Sequence, residues 1–200
     1  MPRHNRLLLS AGLIPLPWFL AWSLAAAALA TGYSSVSQHA SELLQFEGLP
    51  STFLRIAAIG SGAAFVAFAI GLWWQSGVYF AVGACGWLVF GLAMASNGIW
   101  PMGDPKHGLY AAGVINLIAP AVSHLESRVL VKSGRFYALT AFVSVAGVIY
   151  LWLNLVGADP PAYRGLTQRV FSSICSLWPF VTALWLLRSD SLPAEVDREK

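Results

Sequence analysis

Two short polar segments of this chain carry residues suited to acid–base or metal chemistry. "GYSSVSQHASELLQFEGLP", residues 32–50, holds His39 and Glu42, and "IWPMGDPKHGLY", residues 99–110, holds Asp104 and His107. Each pair is three residues apart, so its members converge if the segment makes a helical turn. Two imidazoles and two carboxylates make a ligand set suited to zinc or another divalent metal. The same groups can serve as a general base and its orienting acid. The spacing matches no defined metal motif, and Asp104 before Pro105 is also an ordinary turn residue. The expectation is therefore no obligatory cofactor, with a divalent metal at His39, Glu42, Asp104 and His107 as the minor alternative.

What must position these residues is a membrane bundle. The chain has 200 residues, 57% of them hydrophobic and 10% charged, with a mean hydropathy of +0.64. A soluble domain carries about 25% charged residues. The apolar excess sits in runs near the length needed to cross about 30 Å of hydrocarbon, and no barrel-type alternation is visible. The fold class is thus an all-α polytopic membrane protein. Six spans are predicted, at about Leu7–Thr31, Ser51–Trp74, Val78–Ile99, Gly108–Leu125, Arg135–Val156 and Gly165–Leu187. They form one domain over residues 1–190, with 191–200 as a polar cytoplasmic tail. Pro15 and Pro17 should kink the first span. That span is too long for the h-region of a signal peptide and reads as an uncleaved helix.

Orientation follows from lysine and arginine. With the N-terminus inside, Arg3, Arg6, Arg128, Lys132, Arg135, Arg188, Arg198 and Lys200 flank the cytoplasmic side, against Arg55, Lys106, Arg164 and Arg169 outside. Both termini are expected in the cytoplasm and the protein in the plasma membrane. Residues 32–50, 100–107 and 157–164 then form the outer face. Trp73, Trp74, Trp100, Trp152 and Trp185 fall near span ends, as an aromatic belt does. The net charge of +3 calls for no nucleic-acid partner. Ala57, Gly60, Ala64, Ala67 and Gly71 share one face of the second span, and Gly91, Ala95 and Gly98 form a similar row in the third. Such rows let helices approach closely, within the bundle or in a homo-oligomer.

Ionisable groups at membrane depth are the informative ones. Arg55 and Arg169 lie at matching depth near the outer ends of the second and sixth spans. They either snorkel to the headgroups or bind an outer-loop carboxylate or lipid phosphate. Arg169, Ser172, Ser176 and Pro179 recur at helical spacing, so the hydroxyls bond a neighbouring helix or line a polar cavity. No histidine is expected at the depth of Ser176, which argues against a serine hydrolase. Asn116, Pro120 and His124 are expected on one face of the fourth span, where Pro120 frees the carbonyl of Asn116. That face is a satisfied kink or a ligand contact, and His124 is expected near water beside Glu126 and Arg128. His107 and His124 would be about 25 Å apart along one helix, which disfavours a bis-histidine haem. Cys85 and Cys175 sit in apolar runs as small buried hydrophobes.

The elements "TGYSSVSQHASEL" and "GIWPMGDPKHGLY", separated by apolar helices, resemble a family of small bacterial and archaeal membrane proteins, domain of unknown function 998. Its Gly-Tyr, Ser-x-x-x-Ser-Glu-Leu, aromatic-Pro-x-x-Asp and histidine elements correspond to Gly32, Tyr33, Ser37, Ser41, Glu42 and Leu43, then Trp100, Pro101, Asp104 and His107. Trp100 replaces the usual phenylalanine, and His39 stands where the family has no histidine. The resemblance implies a cluster around Glu42, Asp104 and His107, without an assigned reaction. The leading functional expectation is binding of a membrane lipid headgroup or small ligand at the outer leaflet, involving Arg55, Arg169, Glu42, Asp104, His107, Tyr110 and Asn116. The alternative is an outer-face enzyme on a lipid or cell-envelope substrate, with Glu42, Asp104 and His107 catalytic. A small transporter comes third, because the chain has no mid-membrane run of charges. In both leading readings Glu42 is expected within about 6 Å of His107, Arg55 or Arg169, the range of mutual perturbation. Residues 37–45 are expected to be partly helical with a serine cap.

Overall fold

The computed structural model describes residues 1–189, so the predicted tail 191–200 lies outside the described residues. All regular secondary structure among them is helical. The first predicted span is two helices, α1 (Arg3–Ser10) and α2 (Pro15–Leu29), joined by a 3-10 turn at Ala11–Leu13 and bent by 40°. Pro15 opens α2 rather than interrupting a helix, because its missing N–H is not needed at a first position. The bend brings Trp18 against the next helix, α3 (Leu49–Ser76), where its indole N–H donates to the Ile56 carbonyl at 3.1 Å. Gly60 lies directly beneath that indole, with no room for a Cβ.

Helix α4 (Val82–Ile99) runs back antiparallel to α3. It starts four residues later than the predicted third span, and residues 78–81 are exposed or extended lead-in. Gly62 and Gly91 face each other across the pair: a Cβ on Gly62 would lie 2.6 Å from the Gly91 carbonyl oxygen, and one on Gly91 2.8 Å from that of Gly62. Both small-residue rows are thus engaged inside the chain, since Gly60 and Gly71 meet Trp18 and Leu8–Leu9, while Gly91 and Gly98 meet α3.

The predicted fourth helix, Gly108–Leu125, does not form as one element. A left-handed turn at Gly108, Leu109, Tyr110 and Ala111 (φ 64°, 53°, 55° and 67°) leads into a 3-10 helix at Ala112–Leu117. Then come α5 (Ala119–Val122) and α6 (His124–Leu130). Asn116, Pro120 and His124 consequently sit in three successive elements, not on one helical face. Left-handed backbone costs about 1–2 kcal/mol per non-glycine residue, so contacts must hold it. The Leu109 N–H donates to Ser96 Oγ at 3.0 Å, and Gly113 N–H to the Gly108 carbonyl at 3.1 Å. Gly147, on α7 (Gly134–Leu155), leaves space for the Leu117 carbonyl to press against that helix.

Despite its irregularity this segment runs along α4 from end to end. Leu109 meets Ser96, Ser123 Oγ accepts from the Trp87 indole at 3.0 Å, and Glu126 Oε1 accepts from the Gly83 N–H at 2.9 Å. Glu126 is 5% exposed and serves the first turn of α4, where helix N–H groups lack partners and favour negative charge. His124 is half-buried, edge-on to Tyr137.

Helix α8 (Arg164–Ser189) closes the bundle. The centre is an aromatic column in which Trp87 stacks between Phe65 and Trp178, at 5.7 and 5.6 Å between ring centroids. The Trp178 indole N–H donates to Thr140 Oγ1 at 3.0 Å, so neither buried indole is unpaired. Helices α3, α4, α7 and α8 are each long and apolar enough to cross a membrane, and the bent α1–α2 pair raises the number to five. This is the build of a multi-pass membrane protein.

Candidate functional site

The long polar stretch 32–50 is folded onto the end of the bundle. Glycines Gly32 and Gly48 (φ 82° and 75°) turn the chain at its two ends. Between them Ala40–Gln45 forms a 3-10 helix whose Ala40, Leu43 and Leu44 are buried. Its cap is not a serine: Glu42 Oε1 accepts from the His39 N–H at 2.9 Å, and Glu42 Oε2 accepts from the Gln38 amide at 3.1 Å.

The first turns of α8 fasten this stretch. Arg164 pairs with Glu42 at 3.2 Å and donates through Nε to the Ser37 carbonyl at 2.9 Å. Arg169 donates from one terminal nitrogen to the carbonyls of Ser35 (2.7 Å), Gln38 (3.0 Å) and Gly165 (2.9 Å), and from the other to the Tyr33 hydroxyl. The Ala40 N–H reaches Gln168 Oε1 at 2.9 Å. Gly165 packs directly on the Gln38 backbone, where any side chain would collide. Residues 100–107 reach the same end, with Ser41 Oγ 3.7 Å from Met102 Sδ.

The residues singled out in the sequence take different partners. Glu42 forms its ion pair with Arg164, a residue outside the expected set of His107, Arg55 and Arg169. Arg55 donates to the Gly98 and Ile99 carbonyls at 2.8 and 3.0 Å and so caps the C-terminus of α4, where cations are favoured. Asp104 Oδ1 accepts from the Lys106 N–H at 2.8 Å, closing a local turn. Tyr110 is 67% exposed. Among the described residues no group of three or more His, Cys, Asp or Glu side chains is placed to hold a metal ion, so His39, Glu42, Asp104 and His107 do not gather as one ligand set.

His107, Asn116 and Arg169 do share a feature: all three line a cavity of about 540 Å³ behind the folded stretch. One wall is α8, where Gln168, Arg169, Ser172, Ser173 and Ser176 present one helical face. The irregular segment 108–117 forms another wall, and Phe19, Leu20, Phe65, Phe90 and Leu151 supply apolar surface. Non-helical backbone at membrane depth is tolerated where it lines a cavity or is buried in protein, which fits this placement. The His107 Nδ1 lies 2.9 Å from the Trp100 carbonyl. A carbonyl only accepts, so Nδ1 carries the proton and Nε2 is the free acceptor in the neutral ring.

Arg164, Gln168, Ser173 and Asn97 were not singled out as site residues in the sequence. Gln168 and Ser173 lie on the face already marked by Arg169, Ser172 and Ser176, so a full helical projection finds them. Arg164 and Asn97 carry no comparable signal.

Burial raises the Glu42 carboxyl pKa, but the His39 N–H, the Gln38 amide and Arg164 together outweigh it, and the net value lies below the ordinary 4.5. A lowered folded-state value means that the ionised form stabilises the fold above about pH 4.5, and that this stability is lost as pH falls through the lowered value. Glu42→Gln should cost about 1 kcal/mol at pH 7, because Arg164 is 44% exposed and its pairing is screened. In thermal melts the gap between wild type and variant should close toward pH 3, and a gap independent of pH would assign Glu42 a purely steric role. The Tyr33 phenol moves the other way: burial raises its pKa, with Arg169 opposing.

Comparison with curated proteins and with solved structures finds no match to this chain. The model of a family described as protein of unknown function (DUF998) matches residues 13–185, nearly the whole bundle together with the folded stretch and the cavity walls, and the chain belongs to that family.

Proposed function

We propose that this protein holds one lipid, or a similarly amphipathic molecule, in the cavity between α2, α8 and the segment 108–117. The observation that carries the reading is the two-sided lining. Apolar rings and aliphatic chains form one part, while a row of serines on α8 with Asn116 and His107 forms the other. Binding sites for small molecules are mostly apolar with a few placed polar groups, in volumes of about 300–1,000 Å³. A cavity of about 540 Å³ holds a headgroup and the upper part of a chain, not a whole diacyl lipid.

In this proposal the chain crosses the plasma membrane six times, with α1–α2 and residues 108–130 as the bent first and irregular fourth crossings. Both termini lie in the cytoplasm, as the lysine and arginine asymmetry favours. The end carrying 32–50 then faces outward, and the ligand is drawn from the outer leaflet. Residues 32–50 act as a fixed cover, held in place by Arg164 and Arg169, with Ala40, Ser41 and Leu44 facing the cavity.

The test is to fill the cavity. Ser173→Phe places a ring in the lined space, and lipid retained through purification, quantified by mass spectrometry, should fall at least about fivefold, a loss of about 1 kcal/mol in binding. The thermal midpoint of the delipidated variant should stay near that of delipidated wild type. Equal lipid retention by the two proteins would remove the cavity from consideration.

A further inference from the structure

The hydrogen-bonding inventory of the cavity narrows its ligand, an inference that rests on the proposed cavity binding. We infer that the polar half of the cavity takes an uncharged, hydroxyl-rich headgroup, of the kind carried by a glycolipid.

Charge is the first argument. The lining contains no aspartate, glutamate or lysine. An ammonium headgroup would have no counter-charge in a low-dielectric space, where an unpaired ion is costly. Arg169 is the one guanidinium in the lining, and both of its terminal nitrogens are committed to the 32–50 stretch and Gly165. The two-pronged grip that a guanidinium offers a phosphate is therefore already used, on carbonyls and a phenol.

The second argument is what remains unpaired. Among the described residues, the side chains of Asn116, Ser172, Ser173 and Ser176 line the cavity with no hydrogen-bond partner in the protein. Asn97 Oδ1, beside them, is fully buried and unpaired. The Gln168 carbonyl oxygen is taken by the Ala40 N–H, which leaves its amide NH2 to donate. His107 Nε2 adds an acceptor. Amides and hydroxyls combine donors and acceptors, and so does each hydroxyl of a sugar or polyol. Asn116 and the three serines are half-buried and open to the cavity, so a ligand seated there takes the place of water and must supply both roles several times over, because polar groups buried without partners are costly.

The experiment uses the full-length protein, purified in an oligo(oxyethylene) detergent so that no sugar headgroup competes. It is placed in nanodiscs holding equal amounts of a monogalactosyl diacylglycerol, a phosphatidic acid and a phosphatidylethanolamine with matched chains. Lipids bound after release from the disc are counted by native mass spectrometry. The galactolipid should be retained about tenfold over each of the others, the worth of one or two net hydrogen bonds. Ser172→Ala with Ser176→Ala should bring that preference below about threefold, with the thermal midpoint in lipid-free detergent unchanged. Retention of all three lipids alike would overturn the headgroup assignment and leave the cavity reading standing. A preference for phosphatidic acid would overturn it in favour of an anion site at Arg169. Retention of none would sink both readings. A preference unchanged in the double serine variant would also overturn the assignment, since the lipid would then be read elsewhere on the protein.

Discussion

Arg169→Met should release residues 33–45 from the bundle and cost about 3–5 kcal/mol. One guanidinium closes three carbonyls and a phenol. A hydrogen bond to a charged group contributes about 1.5–3 kcal/mol, and stranded acceptors add a desolvation cost. Water reaching the loosened stretch offsets part of the loss, which keeps the total below the sum. Methionine fills a comparable volume, so packing is not the variable under test. Arg169→Lys should recover less than half, because an ammonium is a point charge and cannot reach four acceptors spread over two sides of a planar group. Hydrogen exchange is the direct readout: amides of 33–45 should lose protection before those of α3 or α7. Arg164→Gln supplies the contrast, with about 1 kcal/mol expected from a half-exposed pair. Protection in 33–45 that survives Arg169→Met would mean that the buried Leu43 and Leu44 hold the stretch without the arginine.

The second large effect is expected at the crossing of α3 and α4. A Cβ on Gly62 would stand 2.6 Å from the Gly91 carbonyl oxygen and 2.6 Å from the Ala95 nitrogen. Both are backbone atoms of α4, so no rotamer change relieves the clash and the helices must separate. Gly62→Val should therefore cost about 3 kcal/mol or more, at the upper end of the range for overpacking. Separation would also disturb the Phe65–Trp87–Trp178 column one turn away. Gly86→Ala is the matched control, since a Cβ there meets the Ala119 methyl at an ordinary 3.4 Å. Alanine is the better helix former by about 1 kcal/mol, so this variant should be neutral or slightly stabilising. Both can be read by thermal unfolding in one detergent. Similar midpoints for Gly62→Val and wild type would show that the two helices have slack at their crossing.

The membrane class, four of the long helices and the kink at Pro15 were legible in the sequence because each is a local property. Hydrophobic length decides whether a segment can cross a bilayer, and proline limits its own backbone wherever it stands. The row Arg169, Ser172 and Ser176 was legible for the same reason, since helical periodicity alone puts these residues on one face. What that face would meet was not. Glu42 and Arg164 are 122 residues apart, and Arg169 and Ser35 are 134 apart. No local rule chooses between Arg164, Arg169 and Arg55 for a carboxylate at this end of the bundle. Arg55 reads as a cation that snorkels to the headgroups or binds an anion until α4 is seen to end beside it, offering two carbonyls.

The failure of the fourth helix has the same origin. Gly108–Leu125 is apolar enough to be helical, and its local preferences do not demand a left-handed turn. That turn is held by Ser96 on α4 and by the space at Gly147 on α7, contacts that exist only once the bundle is assembled. The irregular segment is also one wall of the cavity, which Gly108, Ala111, Gly113, Val114 and Asn116 line. Composition and periodicity alone thus determined a helical membrane protein with a polar face on its last helix. Tertiary structure decided which groups that face leaves unpaired, because pairing depends on where distant helix ends and carbonyls come to rest.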